Sequence, residues 1–242
     1  MAATAFSADK FALAYPPGIE NHYWTKGRVS ILMHTIKKNK LGQKKILEIG
    51  CGKGLVVEAL RKFQINCWGA DLADVDPIES VRLVVKTKCD ATKLDKNFRD
   101  SIEVILLLDV IEHIPDTNNF LNELKRAFMN CSHFIITVPA RKELWSNYDE
   151  FYGHFRRYDL SMTSAIASTH DFKQLTNNYF FTSLYFAGLM SVKLTKRRNV
   201  GIKAPDGWMK KAHRLMAAFL YAEYLILPGS IPGSSIIAVY SR

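Results

Sequence analysis

The stretch Ile46-Leu47-Glu48-Ile49-Gly50-Cys51-Gly52-Lys53-Gly54 joins a short apolar run carrying one acid to three glycines at every second position. Asp71 follows seventeen residues after the last of them. A buried strand that delivers such a turn to the carboxyl edge of a parallel sheet lets bare backbone approach a ligand. A carboxylate ending the next strand can accept from two adjacent ribose hydroxyls. The pattern describes a nucleoside site before it describes anything narrower.

Two nucleotide readings fail at single positions. A dinucleotide turn, G-x-G-x-x-G, needs glycine at position 55, where the chain has Leu55. A triphosphate cradle needs a G-K-[ST] ending, which is missing. Around the turn, short apolar runs alternate with helical patterns, the mark of βαβ units on a parallel sheet. Strands are predicted over residues 45–49, 66–70, 82–89, 103–108, 133–138, 172–178 and 235–240. Helices are predicted over 19–38, 55–63, 117–129, from about 160, over 180–192 and over 207–227. The expectation is an α/β fold with a seven-stranded, mostly parallel sheet and helices on both faces. Its last strand is antiparallel, and a helical insert precedes that strand.

At 242 residues the chain reads as one domain, and 48% hydrophobic residues suffice for a buried core. Residues 1–40 read as a helical lid, 41–140 as the ligand-binding core, 141–234 as a loop and helical insert, and 235–242 as the closing strand. Cys51, Cys67, Cys89 and Cys131 show no metal-ligand spacing and lie in or beside apolar segments. They read as reduced core residues of a cytoplasmic protein. The first residues lack the basic stretch and apolar run of a signal peptide. The most apolar stretch, 215–227, contains Glu223 and is too short to span a bilayer.

The net charge of +10 is concentrated. Between Lys193 and Arg214 lie Lys196, Arg197, Arg198, Lys203, Lys210 and Lys211, with Asp206 as the one acid. Such a stretch is either a solvated face or a patch for a phosphate, a carboxylate, an anionic membrane surface or a nucleic acid. No separate nucleic-acid module is visible, so no specific nucleic acid is expected as a partner. Peripheral contact with an anionic membrane through 193–214 is the expectation retained.

Four segments in register resemble the class I S-adenosylmethionine-dependent methyltransferases, of the ubiquinone-biosynthesis-like type. They are residues 47–54, Gly69-Ala70-Asp71-Leu72, Cys89-Asp90-Ala91 and Leu107-Leu108-Asp109-Val110-Ile111-Glu112-His113-Ile114-Pro115. The resemblance implies a Rossmann-like fold and S-adenosyl-L-methionine as cofactor. It implies a donor site built from Glu48, Gly50, Cys51, Gly52 and Gly54 at the turn. Asp71 with Leu72 would serve the ribose, and Asp90 with Ala91 the adenine edge. Leu108, Asp109, Val110 and His113 would lie at the methionine end. Trp24 and Arg28, with Tyr15, would belong to the N-terminal lid. An N-cap role for Asp71 is the competing structural reading, and Asp95 competes with Asp90.

The acceptor side is read from 138–158. His154 can act as a general base near neutrality, and His113 is a second candidate. Arg156, Arg157, Tyr158 and Trp145 are candidate substrate contacts, the arginines through charge-assisted bonds to an anionic group. The competing reading makes His154 and Tyr158 latches of the loop. No metal is expected, because no ligand spacing is evident. The chemistry expected is methyl transfer to an oxygen or nitrogen of a small organic or amphiphilic acceptor. The alternatives are methylation of RNA, or a cofactor-binding regulatory protein without turnover.

Overall fold

The computed structural model describes residues 8–195 and 199–242. The chain opens with helix α1 (Ala8–Ala14), a 3₁₀ turn (Ile19–Asn21) and helix α2 (Tyr23–Lys38). The first βαβ unit is β1 (Ile46–Ile49), α3 (Leu55–Lys62) and β2 (Cys67–Ala70). Next come β3 (Val85–Lys86), α4 (Lys96–Asp100), β4 (Val104–Leu108), α5 (Thr117–Ala127) and β5 (His133–Pro139). The remainder holds α6 (Asn147–Tyr152), α7 (Leu160–Thr169), β6 (Lys173–Phe180), α8 (Thr182–Thr195), α9 (Met209–Ile226) and β7 (Ser235–Ser241).

The seven strands form one sheet in the order β3-β2-β1-β4-β5-β7-β6. β1 to β5 run parallel, and β7 lies antiparallel between β5 and β6. This is the expected mostly parallel architecture with an antiparallel closing strand. β4 is buried at all five positions, as a parallel strand covered on both faces must be. Ile105 and Leu107 join Leu47, Leu121 and Leu124 on one face. Val104 and Leu106 join Ile46, Val57, Ile31, Ile36 and Leu220 on the other. The sheet is thus the middle of three layers, and helix α2 belongs to the core rather than to a lid.

Several boundaries differ from the sequence expectation. The helix expected over 19–38 breaks at His22, whose extended backbone and ring nitrogen cap the α2 start through Trp24 N–H. The strand expected over 82–89 shrinks to Val85–Lys86, which pairs with Gly69 and Ala70 of β2 at the sheet edge. The stretch after β5, expected as a loop, contains α6. Ser146 and Asp149 form its capping box. The helix expected from 180 starts at Thr182, since Phe180 still pairs with Ser235 of β7. Lys196, Arg197 and Arg198 of the basic cluster lie outside the described residues. Among the described residues no helix is long and apolar enough to cross a membrane.

The strand order reverses between β1 and β4, and an open α/β sheet places its crevice at such a point. Gly50 sits there with φ +78°, and a Cβ on it would lie 2.7 Å from Val110 Cγ2. Gly50→Ala combines a left-handed alanine with a clash, which together cost about 2–4 kcal/mol. A lowered melting temperature, measured beside the wild type, is the expected result.

Candidate active site

The crevice is a cavity of about 510 Å³ at the carboxyl ends of four strands, within the range of roughly 300–1,000 Å³ usual for small-molecule sites. Ile49, Gly50 and Gly52 contribute from β1 and its turn; Ala70, Asp71 and Leu72 from β2. Asp90 and Ala91 come from the loop after β3; Leu108, Asp109, Val110 and His113 from the end of β4. Ten of the expected donor residues therefore share one wall space. Five do not: Glu48, Cys51, Gly54, Trp24 and Arg28 line neither this cavity nor the second one described below.

Each absence has a packing reason. Gly54 caps α3 with φ +84°, and a Cβ there would meet Val85 at 2.8 Å, so its bareness serves helix–strand packing. Cys51 turns inward against Gly69. Arg28 is buried, stacks at 4.4 Å on Trp24 and forms an ion pair with Asp109. Thr137 Oγ1 donates to the other carboxylate oxygen of Asp109 at 3.3 Å. Burial disfavours the Arg28 guanidinium, but the adjacent Asp109 outweighs that and holds the charge in place. Trp24 and Arg28 thus act behind the cavity wall. The N-terminal residues that do reach the cavity are Phe11 and Tyr15. Burial pushes the Tyr15 phenol up to about 12.

Asp71 anchors the glycine turn. Its carboxylate accepts from Gly52 N–H at 2.6 Å and from Ala73 N–H at 2.7 Å. Burial raises its pKa, and those two bonds oppose the rise. A loop rather than a helix follows Asp71, so an N-cap role is excluded. Asp90 accepts from the Thr92 amide and hydroxyl at 3.0 and 2.7 Å. Its slight burial raises the pKa, but those bonds outweigh it and hold the acid below its usual range. Asp95 caps α4 through Phe98 N–H at 3.1 Å, away from the cavity, which leaves Asp90 as the acid facing it. Phe120 and Leu124 of α5, which packs against the 3₁₀ turn Ala91–Lys93, supply an apolar wall beside Asp90.

The acceptor-side expectations separate into two groups. His154 and Arg157 converge on Asp149, which is buried. Asp149 Oδ1 takes His154 Nδ1 and Arg157 Nε, both at 2.8 Å, and Oδ2 takes Arg157 Nη2 at 3.1 Å. Burial raises the Asp149 pKa, and these partners reverse the effect and leave it lowered. Arg157 also donates to Ala140 carbonyl oxygen at 3.0 Å. It fastens the loop, with three of its five N–H donors engaged, and it lines neither cavity. Arg156 and Tyr158 line a second cavity of about 380 Å³ with Thr117, Met162 and Ile166. Tyr158 latches the loop through Ile111 carbonyl oxygen at 3.2 Å. Trp145 lines neither cavity.

Residues that sequence reasoning missed complete the main cavity: Phe11, Thr92, Ile114, Phe120, Gly153 and Phe155. Ile114 and Pro115 sit in the motif already singled out, and Phe155 lies next to His154. Phe11 and Phe120 had only helical periodicity to mark them, which signals a core position as readily as a pocket wall.

Behind His113 lies a cluster invisible to spacing rules. Donor atoms of Glu112, His113 and His154 all lie within 4.8 Å of one another, and the two rings meet edge to face at 4.7 Å. Glu112 is fully buried, and neither carboxylate oxygen has a hydrogen-bond partner. Burial, reinforced by Asp109, drives its pKa far above the ordinary carboxylate value. Burial and then the neighbouring His154 lower His113 to about 4. A proton on Glu112 balances the site; a divalent cation is the other species this nitrogen–oxygen set suits. The premise that no ligand cluster exists is therefore corrected. Adjacent residues of the β4 loop meet a histidine delivered by the loop after α6, and chain spacing carries no trace of that meeting.

A family model described as a methyltransferase domain matches residues 23–184, more than half of the chain. The chain belongs to this family, the class I S-adenosylmethionine-dependent methyltransferases. Among curated relatives it is 25% identical over 139 residues to the ubiquinone biosynthesis O-methyltransferase of Cupriavidus pinatubonensis, covering 51% of this chain and 56% of that protein. To the Bradyrhizobium diazoefficiens protein of the same description it is 31% identical over 120 residues, covering 46% and 45%. The chain thus spans about half the length of the curated relatives it matches. A solved S-adenosylmethionine-dependent methyltransferase from Archaeoglobus fulgidus shares the fold, with a TM-score of 0.50 at 14% identity. The match covers 93% of this chain and 97% of that one. The residues present fit the family's donor: a bare backbone turn, a carboxylate fixed at its edge, and an apolar wall beside a second acid.

Two outcomes are expected. Burial raises Glu48 from 4.5 to about 8. The folded state then holds a proton that the unfolded state releases, so stability falls as pH rises from about 4.5 to about 8. Glu48→Gln removes that contribution, and denaturant unfolding across the range should show a shallower decline. Asp149→Ala strands a buried guanidinium, at a cost of about 3–5 kcal/mol. Its unfolding midpoint should fall far more than that of Arg156→Ala, whose side chain bonds Pro115 carbonyl oxygen at the surface.

Proposed function

We propose that the protein transfers the methyl group of S-adenosylmethionine to an oxygen atom of a small amphiphilic organic molecule. One observation carries the reading. Asp71 and Asp90 face the same continuous cavity as His113, Ile114 and Phe155, so donor-type and acceptor-type walls enclose one space. Two relatives described as O-methyltransferases support oxygen as the methylated atom.

In this reading the Asp71 carboxylate, already holding Gly52 N–H, takes the ribose hydroxyls. Asp90 and Ala91 address the adenine edge, with Phe120 against the ring face. The glycine turn and Leu108 flank the methionine end. The donor supplies an electrophilic methyl group on a cationic sulfur. The chain contributes position and exclusion of water, which account for much of the rate in an in-line transfer. Phe11 and Tyr15 close the space from the N-terminal side, and Phe155 and Ile114 give it an apolar acceptor wall.

The acceptor hydroxyl must lose its proton as the new bond forms. His113 is the histidine that lines the cavity, and burial followed by the neighbouring His154 lowers its pKa to about 4, so the ring is neutral at physiological pH. His154, held through Nδ1 by Asp149, stands behind it as a positioning residue. Among the described residues the acceptor-side wall is formed by Ile114, Pro115 and Phe155, with no arginine in the lining. The amphiphile, rather than the anion, is the acceptor class retained.

The test is transfer of label from methyl-labelled S-adenosylmethionine to a panel of phenols, amines, amphiphilic hydroxyl compounds and RNA. Label on an oxygen of the amphiphilic hydroxyl compounds is expected; label on RNA alone overturns the reading. Asp71→Ala should weaken donor binding at least tenfold by calorimetry. His113→Ala should cut kcat by about 10²–10⁴ while leaving donor affinity within a few-fold.

A further inference from the structure

Helix α9 is built inside out for a surface helix. Its inner face is occupied: Ala217 and Leu220 are buried, and the helix packs along α2. Its only acid, Glu223, also turns inward, accepting from the Ser183 amide at 2.8 Å and from the Ser183 hydroxyl. The outer face should then be polar. Instead Trp208, Ala212, Leu215, Phe219, Ala222 and Ile226 are all exposed. Their spacing of four, three, four, three and four residues keeps them on one stripe of the helix. Trp208, Leu215 and Ile226 are 78, 72 and 77% exposed, values that place whole side chains in solvent.

Helix α8 packs against α9 and repeats the arrangement. Phe186, Met190 and Leu194 stand four residues apart and are exposed, Leu194 to 76%. The cations Lys193, Lys203, Lys210, Lys211 and Arg214 are exposed on these two helices and the segment between them. Asp206 is the one exposed acid of that stretch among the described residues. The methyltransferase match ends at residue 184, so nearly all of this surface lies beyond the matched segment.

An exposed apolar stripe bordered by cations, on a helix too polar to span, is the form of an element that lies in the plane of a membrane interface. We propose that α8 and α9 form a peripheral docking surface for an anionic lipid bilayer. Apolar side chains enter the headgroup–acyl boundary while the lysines and Arg214 meet lipid phosphates. Charge complementarity decides the occupant. An apolar protein groove would bury the stripe without needing five cations around it, whereas an anionic bilayer uses both features at once. The proposal does not depend on the acceptor's identity, since its readout is binding rather than turnover.

The experiment is co-sedimentation of the full chain with vesicles of phosphatidylcholine alone and of phosphatidylcholine mixed with phosphatidylglycerol. Binding to the mixed vesicles, weaker by at least tenfold on the neutral ones and falling with added salt, is the expected result. Leu215→Glu with Phe219→Glu should lower the anionic-vesicle affinity at least tenfold. Lys210→Ala, Lys211→Ala and Arg214→Ala together should do the same and flatten the salt dependence. Both variants change exposed residues, and unchanged donor binding by calorimetry verifies their fold. Equal partitioning of wild type and both variants overturns the proposal. So does the absence of vesicle binding together with self-association, by light scattering, that the Leu215/Phe219 variant abolishes; the stripe would then bind a second copy.

Discussion

The buried ion pair between Arg28 and Asp109 is the interaction around which the site is arranged. Five acids stand at or behind the crevice: Glu48 within β1, Asp71 after β2, Asp90 after β3, and Asp109 and Glu112 after β4. Arg28 is the cation set among them. A single guanidinium can hold one carboxylate ionised in a dry interior, and the others must be stabilised by other means. Asp71 uses backbone N–H groups, and Glu48 and Glu112 shift towards the neutral acid. The division leaves Asp71 held by backbone N–H groups and Asp109 held by Arg28, both on the cavity wall. Because Arg28 sits on α2 and Asp109 ends β4, the same pair ties the N-terminal helix to the centre of the sheet.

The parts of the fold legible in the sequence were those with short-range causes. The apolar run of β1, the glycine turn and the acid ending β2 stand close in the chain and obey strict backbone requirements. The capping box at Ser146 and Asp149 is equally local, yet the stretch reads as loop and the helix it starts is missed. The misplaced boundaries arose where tertiary pairing decided. β6 runs on to Phe180 because β7 continues to pair with it, and β3 is two residues long because β2 pairs with it only at Gly69 and Ala70. The helix expected over 19–38 is present from Tyr23, and His22 interrupts it by capping it, a choice that residue type alone does not force.

Within the site, the same division separates donor from acceptor. Residues that face the cavity through backbone, such as Gly50 and Gly52, were found from the turn itself. Gly54 and Cys51 belong to the same motif and do different work, packing against Val85 and Gly69. A motif records which residues the turn needs, and it does not say which of them touch the ligand. Arg157 shows the converse error: a guanidinium in a substrate loop suggested an anion site, but it is buried and pairs with Asp149. Composition supplied the charge and concealed its partner.

The cluster of Glu112, His113 and His154 explains why the acceptor half resists a reading from sequence. Its members are ordinary residues on two loops, and their meaning comes from a 4.8 Å convergence that only the sheet topology creates. The glycine turn, by contrast, is set by backbone requirements that its own residues state locally, whereas side chains brought together from separate loops leave no such mark in the chain. The outward-facing stripe on α9 is the limiting case. Its apolar periodicity was visible in the sequence as a buried helix, and only the occupied inner face, with Leu220 in the core and Glu223 on Ser183, turns that same pattern towards solvent.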